Sequence, residues 1–188
     1  KERIRRAGEK IKNEIESGNE QLKFDEEPKN IEKVSTPNQK SIEEVSSFLN
    51  LQPKDVVKSI VYRDLAHNQI VVTMVRGDRE VNDIKVINAL DIAEHELVLA
   101  SYDDILSIGS VEGFVSPVGL TVKTLVDDVV AQMKNVVVGA NEKDYHYINA
   151  NFGRDFNGEV VELRKTSEGD LCPICGKPLK MERFQVCR

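Results

Sequence analysis

The sequence is short of most of the features that make a function easy to read. None of its apolar runs approaches the roughly 20 residues a membrane-spanning helix needs, and no positively charged, then apolar, leader opens it. It therefore reads as a soluble, cytosolic chain with no membrane partner. Basic residues are outnumbered, 26 Lys and Arg against 32 Asp and Glu. That balance excludes a protein that grips nucleic acid through a broad basic face, while leaving room for a local contact to an RNA end. There is no Ser-His-Asp or Cys-His order, no nucleophile elbow and no phosphate-binding loop, so a classical nucleophilic hydrolase is not indicated. Internal repeats and low-complexity segments are absent too.

Histidine and cysteine are scarce, three of each. Cys172-Pro173-Ile174-Cys175-Gly176 has the form of a tight knuckle that aims two thiolates at one metal. Zinc at Cys172 and Cys175 is the candidate cofactor, but a structural zinc needs four ligands, only Cys187 lies downstream, and no histidine follows His146. In a reducing compartment these cysteines are free thiols or metal ligands rather than a disulfide.

With 188 residues and 40% hydrophobic content the chain supports one main domain and an appendage. Residues 1–33 carry nine basic and nine acidic side chains with a narrow apolar stripe, and read as a charged helix or linker. The whole net charge of −6 thus falls on residues 34–188, read as the compact domain. The chain opens on KERIRR without methionine and stops at FQVCR, as a fragment or a domain cut from a larger protein would.

Within the domain, Thr36-Pro37-Asn38 is a turn, and Ser41 with Glu44 forms a capping box before a short amphipathic helix. Residues 55–62 and 70–76 alternate as two strands around a polar loop, expected to pair antiparallel. Asn82 to Leu90 reads as a helix with Ile84, Ile87 and Val86 inward. Residues 96–100 form a strand, and Ser101 with Asp104 caps a helix that stops at Gly109. GFVSPVGL, KNVVVGA, HYINANF and EVVELR supply further short strands. The fold class is α+β: a central mixed, mostly antiparallel sheet flanked by short helices.

Three places carry possible chemistry. Lys58 stands among apolar residues on one face of its strand, either as a snorkelling lysine with a wet ammonium or as a cation lining a ligand pocket. Gly113 and Pro117 bracket the loop GFVSP, where glycine permits an unusual backbone or close approach and proline fixes φ; the pair is either a plain turn or a shaped wall of main-chain groups. His146 is a packed histidine or a pocket residue.

Taken in order, TPNQKSIEEVSSFL, VVKSIVY, MVRGDREVNDIKVINAL, GFVSPVGL, VVGANEKDYHYINANFGRD and LRKTSEGDLCPICGKPL resemble the insertion domain of bacterial-type prolyl-tRNA synthetases, within the YbaK-like family of aminoacyl-tRNA editing domains. The resemblance runs from Thr36 to Leu179. It implies hydrolytic removal of a wrong amino acid, chiefly alanine, from the 3′ end of tRNA for proline, with no cofactor required. Its implied partners are that tRNA and the remainder of a synthetase in cis.

By the same resemblance, Lys58, Gly113 and Pro117 are catalytic. Lys58 contacts the terminal adenosine, and the main chain of Gly113, Phe114, Val115, Ser116 and Pro117 surrounds the aminoacyl group and positions water. Thr36 stands at the entrance, His146 shapes an alanine-sized pocket, and Asp127, or its neighbour Asp128, is a pocket-side carboxylate. A free-standing trans-editing deacylase, a catalytically silent module that binds the tRNA acceptor end or a protein partner, and a small metal-binding module are the alternatives.

Overall fold

The computed structural model describes residues 26–170, 172, 175–180 and 182. The chain divides into two compact units, Leu22–Arg164 and a second comprising Lys165–Arg188 with Lys1–Gln21. Most of the charged leading segment, and Cys187, lie outside the described residues.

The larger unit is built on two sheets. β1 (Glu32–Ser35), β7 (Tyr145–Ala150) and β6 (Val136–Gly139) form a three-stranded sheet with β7 in the middle. A five-stranded sheet runs in the order β4 (Leu97–Leu99), β2 (Val57–Asp64), β3 (Gln69–Arg76), β5 (Lys123–Asp127) and β8 (Glu159–Val161). β3–β5 and β5–β8 are parallel, whereas β2–β3, β2–β4, β1–β7 and β6–β7 are antiparallel. The α+β, mostly antiparallel architecture is therefore as expected. The parallel pairs follow from the long crossover between β3 and β5, which tight hairpins cannot provide.

Local sequence explains most elements. α1 (Ile42–Phe48) starts at Ser41, whose side chain accepts from Glu44 N while the Glu44 carboxylate accepts from Ser41 N. The same reciprocal cap, Ser41 replaced by Ser101 and Glu44 by Asp104, starts α3 (Tyr102–Ser107). α2 (Asp83–Leu90) begins at Asn82.

Two sequence expectations are corrected. In α2, Val86 and Leu90, one turn apart, point inward, while Ile84 is 64% exposed, because it lies on nearly the opposite side of the helix from Val86. GFVSPVGL is a loop rather than a strand, and the strand is Lys123–Asp127 instead.

The α2 face packs over the larger sheet. Val86 and Leu90 join Tyr62, Val71, Val75, Val81, Leu125 and Leu163 in one buried cluster. A second cluster, Val45, Val56 and Val137, fixes α1 where β2 and β6 meet through a parallel bridge. Among the described residues no helix is long and apolar enough to cross a membrane.

The smaller unit shows a short turn-built segment in its described residues. Gly169 N donates to Leu179 O and Leu179 N to Asp170 O, and inside that pair Cys172 N donates to Lys177 O and Gly176 N to Cys172 O, both at 2.8 Å. Of the knuckle cysteines read from the sequence, Cys172 is half-buried and Cys175 exposed. Among the described residues no group of three or more His, Cys, Asp or Glu is arranged to hold a metal ion. Two thiolates are half of a structural zinc's ligand set.

The β2–β3 hairpin turns on Asp64, whose carboxylate is fully buried and accepts from His67 N, the His67 ring and Gln69 Nε2. Burial alone would raise its pKa, but the hydrogen bonds from Gln69 and His67 outweigh burial and hold it below the usual carboxylate range. A depressed folded pKa means stability that is present at neutral pH and lost as the pH falls through the folded value. Asp64→Ala is expected to cost about 1–3 kcal/mol at neutral pH by orphaning these donors. The deficit should shrink in acid, and urea denaturation of both proteins across that range measures it; a deficit independent of pH would assign the loss to packing.

Candidate active site

The candidate site is assembled where the GFVSP loop lies against the three-stranded sheet. β7 carries His146, paired with Val34 on β1 and Gly139 on β6. β1 ends just before Thr36, which is fully buried and whose N–H donates to Asp144 O at 2.8 Å. This brings the Thr36 hydroxyl within 2.7 Å of His146 Nδ1. On the other side of the imidazole stands Phe114, its ring centroid 5.4 Å away and tilted by 58°. Thr36, His146 and Phe114 form one continuous wall, although the outer two are far apart in sequence.

The loop owes its position to two residues that the sequence reading did not single out. Gly139 has no side chain, and Phe114's main chain occupies the space: a Cβ there would sit 2.2 Å from Phe114 O. Asn141, two residues on, adopts φ +57 and grips the loop. Its N–H donates to Phe114 O at 2.8 Å, its Oδ1 accepts from Ser116 N at 2.9 Å and Ser110 Oγ at 2.7 Å, and its Nδ2 donates to Val118 O at 2.9 Å. The available signal was the Gly-Ala-Asn run at the end of a strand, since asparagine is one of the few residues that tolerate the left-handed region.

Within the loop, Gly113 takes φ +85 while open space surrounds the place of a Cβ, so backbone conformation, not crowding, requires glycine. Phe114, Val115, Ser116 and Pro117 are buried. Their amides are distributed unequally. Phe114 N donates to Val111 O and Ser116 N to Asn141, whereas Val115 N–H meets no acceptor among the described residues. An amide without an acceptor is a ready donor to an anionic oxygen.

The remaining expected site residues stand on the larger sheet. Lys58 lies on β2 opposite Val75, half-buried, its side chain making neither a hydrogen bond nor an ion pair among the described residues. No hydrogen bond joins it to the Thr36–His146 wall. Asp127 is buried at the end of β5, where its carboxylate accepts from Val129 N, Leu163 N, Arg164 N and Arg164 Nη1. None of these bonds reaches Thr36, His146 or the loop. Asp128 accepts from the same Arg164 guanidinium at 2.9 Å.

Burial lowers the His146 pKa to about 4, so the imidazole is neutral near pH 7. Such a ring is a weak base, and the fully buried Thr36 hydroxyl is poorly placed to attack a substrate. The hydroxyl–imidazole pair therefore shapes a wall rather than forming a nucleophile and its base. The arrangement suits an already activated ester, which needs oriented water and a donor for the developing oxyanion.

Comparison with known proteins shows the family of the chain. Residues 36–156 match the model of the aminoacyl-tRNA editing domain, and the chain belongs to that family. It is 45% identical to a proline–tRNA ligase of Thermoanaerobacter sp. (strain X514) over 156 residues, covering 81% of this chain and 27% of that protein. It is likewise 45% identical to one from Sulfurihydrogenibium sp. (strain YO3AOP1) over 159 residues, covering 82% and 27%. The chain thus spans about a quarter of the length of these curated relatives. Among solved structures, one provisionally described as a trans-editing enzyme for prolyl tRNA synthetase shares the fold at a TM-score of 0.60 and 15% identity, covering 72% of this chain and 87% of that one.

The buried imidazole generates a test. Between pH 4 and 6.5 the unfolded chain binds a proton at His146 that the folded chain does not, so this residue's contribution to stability rises with pH across that interval and is level above it. An NMR titration of the His146 ring is expected to give a midpoint near 4. A midpoint at the ordinary histidine value would mean that the ring is wet.

Proposed function

We propose that this domain hydrolyses the ester joining alanine to the 3′ end of tRNA for proline, in the cytoplasm, as the editing part of a prolyl-tRNA synthetase. The observation that carries the proposal is the GFVSP loop, pinned by Asn141 and Gly139 with its Val115 N–H open beside the Thr36–His146–Phe114 wall. Water oriented by the loop attacks the ester carbonyl carbon, and Val115 N–H donates to the oxyanion that forms. The carbon–oxygen bond to the ribose then breaks, releasing alanine and the free 3′ hydroxyl of the tRNA. A neighbouring ribose hydroxyl of the substrate assists the proton transfer, so no side-chain nucleophile is needed.

Lys58 supplies the cation. Without a side-chain partner among the described residues, its ammonium is available for the ribose and phosphate oxygens of the terminal adenosine. His146, packed against Phe114, limits the amino acid to the size of alanine. An active site built for proline cannot strongly exclude that smaller side chain by binding alone, and a second, size-selecting site removes the product. Asp127 acts through the segment it ties, Leu163 and Arg164. The acidic balance of the chain leaves most of the grip on the tRNA to the rest of the synthetase in cis.

Release of labelled alanine from alanyl-tRNA for proline, with prolyl-tRNA alongside, tests the reading. The chain is expected to release alanine and spare proline, and Lys58→Ala to abolish release while its melting midpoint stays close to that of the parent. Full activity in the folded variant would remove the role given to Lys58, and no release by the parent would sink the editing assignment. His146→Ala is expected to open the pocket and raise the rate on the prolyl ester relative to the alanyl ester by about tenfold, the worth of one or two buried methylenes. Unchanged rates on both esters would show that another residue sets the size limit.

A further inference from the structure

Among the described residues, Asn141 is the one side chain that bonds to three separate points of the segment around GFVSP: Ser110 before it, Ser116 within it and Val118 after it. With its own N–H on Phe114 O, four hydrogen bonds from a single residue define the loop. One of them takes the Ser116 amide, the Phe114 amide bonds Val111 O, and Val115 between them meets no acceptor among the described residues. The same hairpin end carries Gly139 against Phe114 and leads into β7 with His146.

We infer that Asn141 is a positioning residue for deacylation: it holds the GFVSP loop so that the Val115 amide points at the reacting carbonyl, while touching no substrate itself. The inference rests on the editing reading. It predicts an effect on the chemical step rather than on substrate affinity, since an oxyanion donor acts mainly on the transition state.

Asn141→Gly tests it, because glycine accepts the φ +57 backbone without strain and removes only the side-chain bonds. Asn141→Asp is the conservative partner: a carboxylate oxygen still accepts from Ser116 N and Ser110 Oγ, while the donation to Val118 O gives way to a contact between two acceptor oxygens. On alanyl-tRNA for proline, Asn141→Gly is expected to lower kcat by about 100-fold, the usual cost of a small misplacement of a catalytic group, with KM within about twofold of the parent. Exchange of the Ser116 amide with solvent should speed up in the same variant. Asn141→Asp should recover most of the lost kcat.

A kcat for Asn141→Gly within about twofold of the parent would overturn the inference. So would equal losses in both variants that track a shared drop in melting midpoint, which would make Asn141 a stability residue only. Either result with an active parent leaves the editing assignment standing. A parent that releases no alanine removes the assignment, and the inference with it.

Discussion

The site depends on one close approach, the carbonyl of Phe114 lying where residue 139 would otherwise carry a Cβ. A loop of mostly apolar residues has no ladder to satisfy its main chain, so a neighbouring element must supply partners or the loop unravels. The β6–β7 hairpin does so by offering bare backbone at Gly139 and an amide side chain at Asn141. From that contact follow the packing of Phe114 on His146 and the burial that neutralises the imidazole. The open amide of Val115 follows as well.

The two sheets divide the work. The three-stranded sheet presents the wall of His146 from β7 and Thr36 from just past β1, with Phe114 of the loop against it. The five-stranded sheet carries the half-buried Lys58 and, at its parallel side, the Asp127–Arg164 tie that joins β5 to the end of the compact unit. Aminoacyl esters need little chemical help to hydrolyse, so a site of this kind can dispense with a strong nucleophile. What it must do is admit the right acyl group and hold water still.

How much of this was legible in the sequence depended on how local the signal was. Both serine capping boxes, the Thr36-Pro37-Asn38 turn and the β2–β3 hairpin follow from residues within a few positions of one another, and all were readable. β5 was not. It lies in the interior of its sheet, with Thr124, Leu125, Val126 and Asp127 all buried, so the alternation that marks a half-exposed strand never appears. GFVSPVGL misled in the opposite way: its valines and phenylalanine suit a strand, but the main-chain groups that a ladder would need are taken by Asn141. The meeting of Thr36 with His146 spans 110 positions, a separation no pattern or spacing bridges. Their meeting in one site was expected only because the whole run of motifs resembles a known family. Asn141, which needs the folded loop to be seen at work, stayed hidden.

The place of β7 in the middle of its sheet has a consequence for how the chain tolerates change. His146 sits between Val34 and Gly139, and the pairing of β6 with β7 already contains one irregularity between Val136 and Val138. Side chains alternate faces along a strand, so one residue inserted or removed between Gly139 and His146 would turn the imidazole away from Phe114 and leave the strand itself intact. The short connection from Ala140 to Asp144 therefore behaves as a ruler of fixed length. The surface turn at Leu65 to Asn68 answers to a different anchor, the Asp64 carboxylate that receives His67 and Gln69.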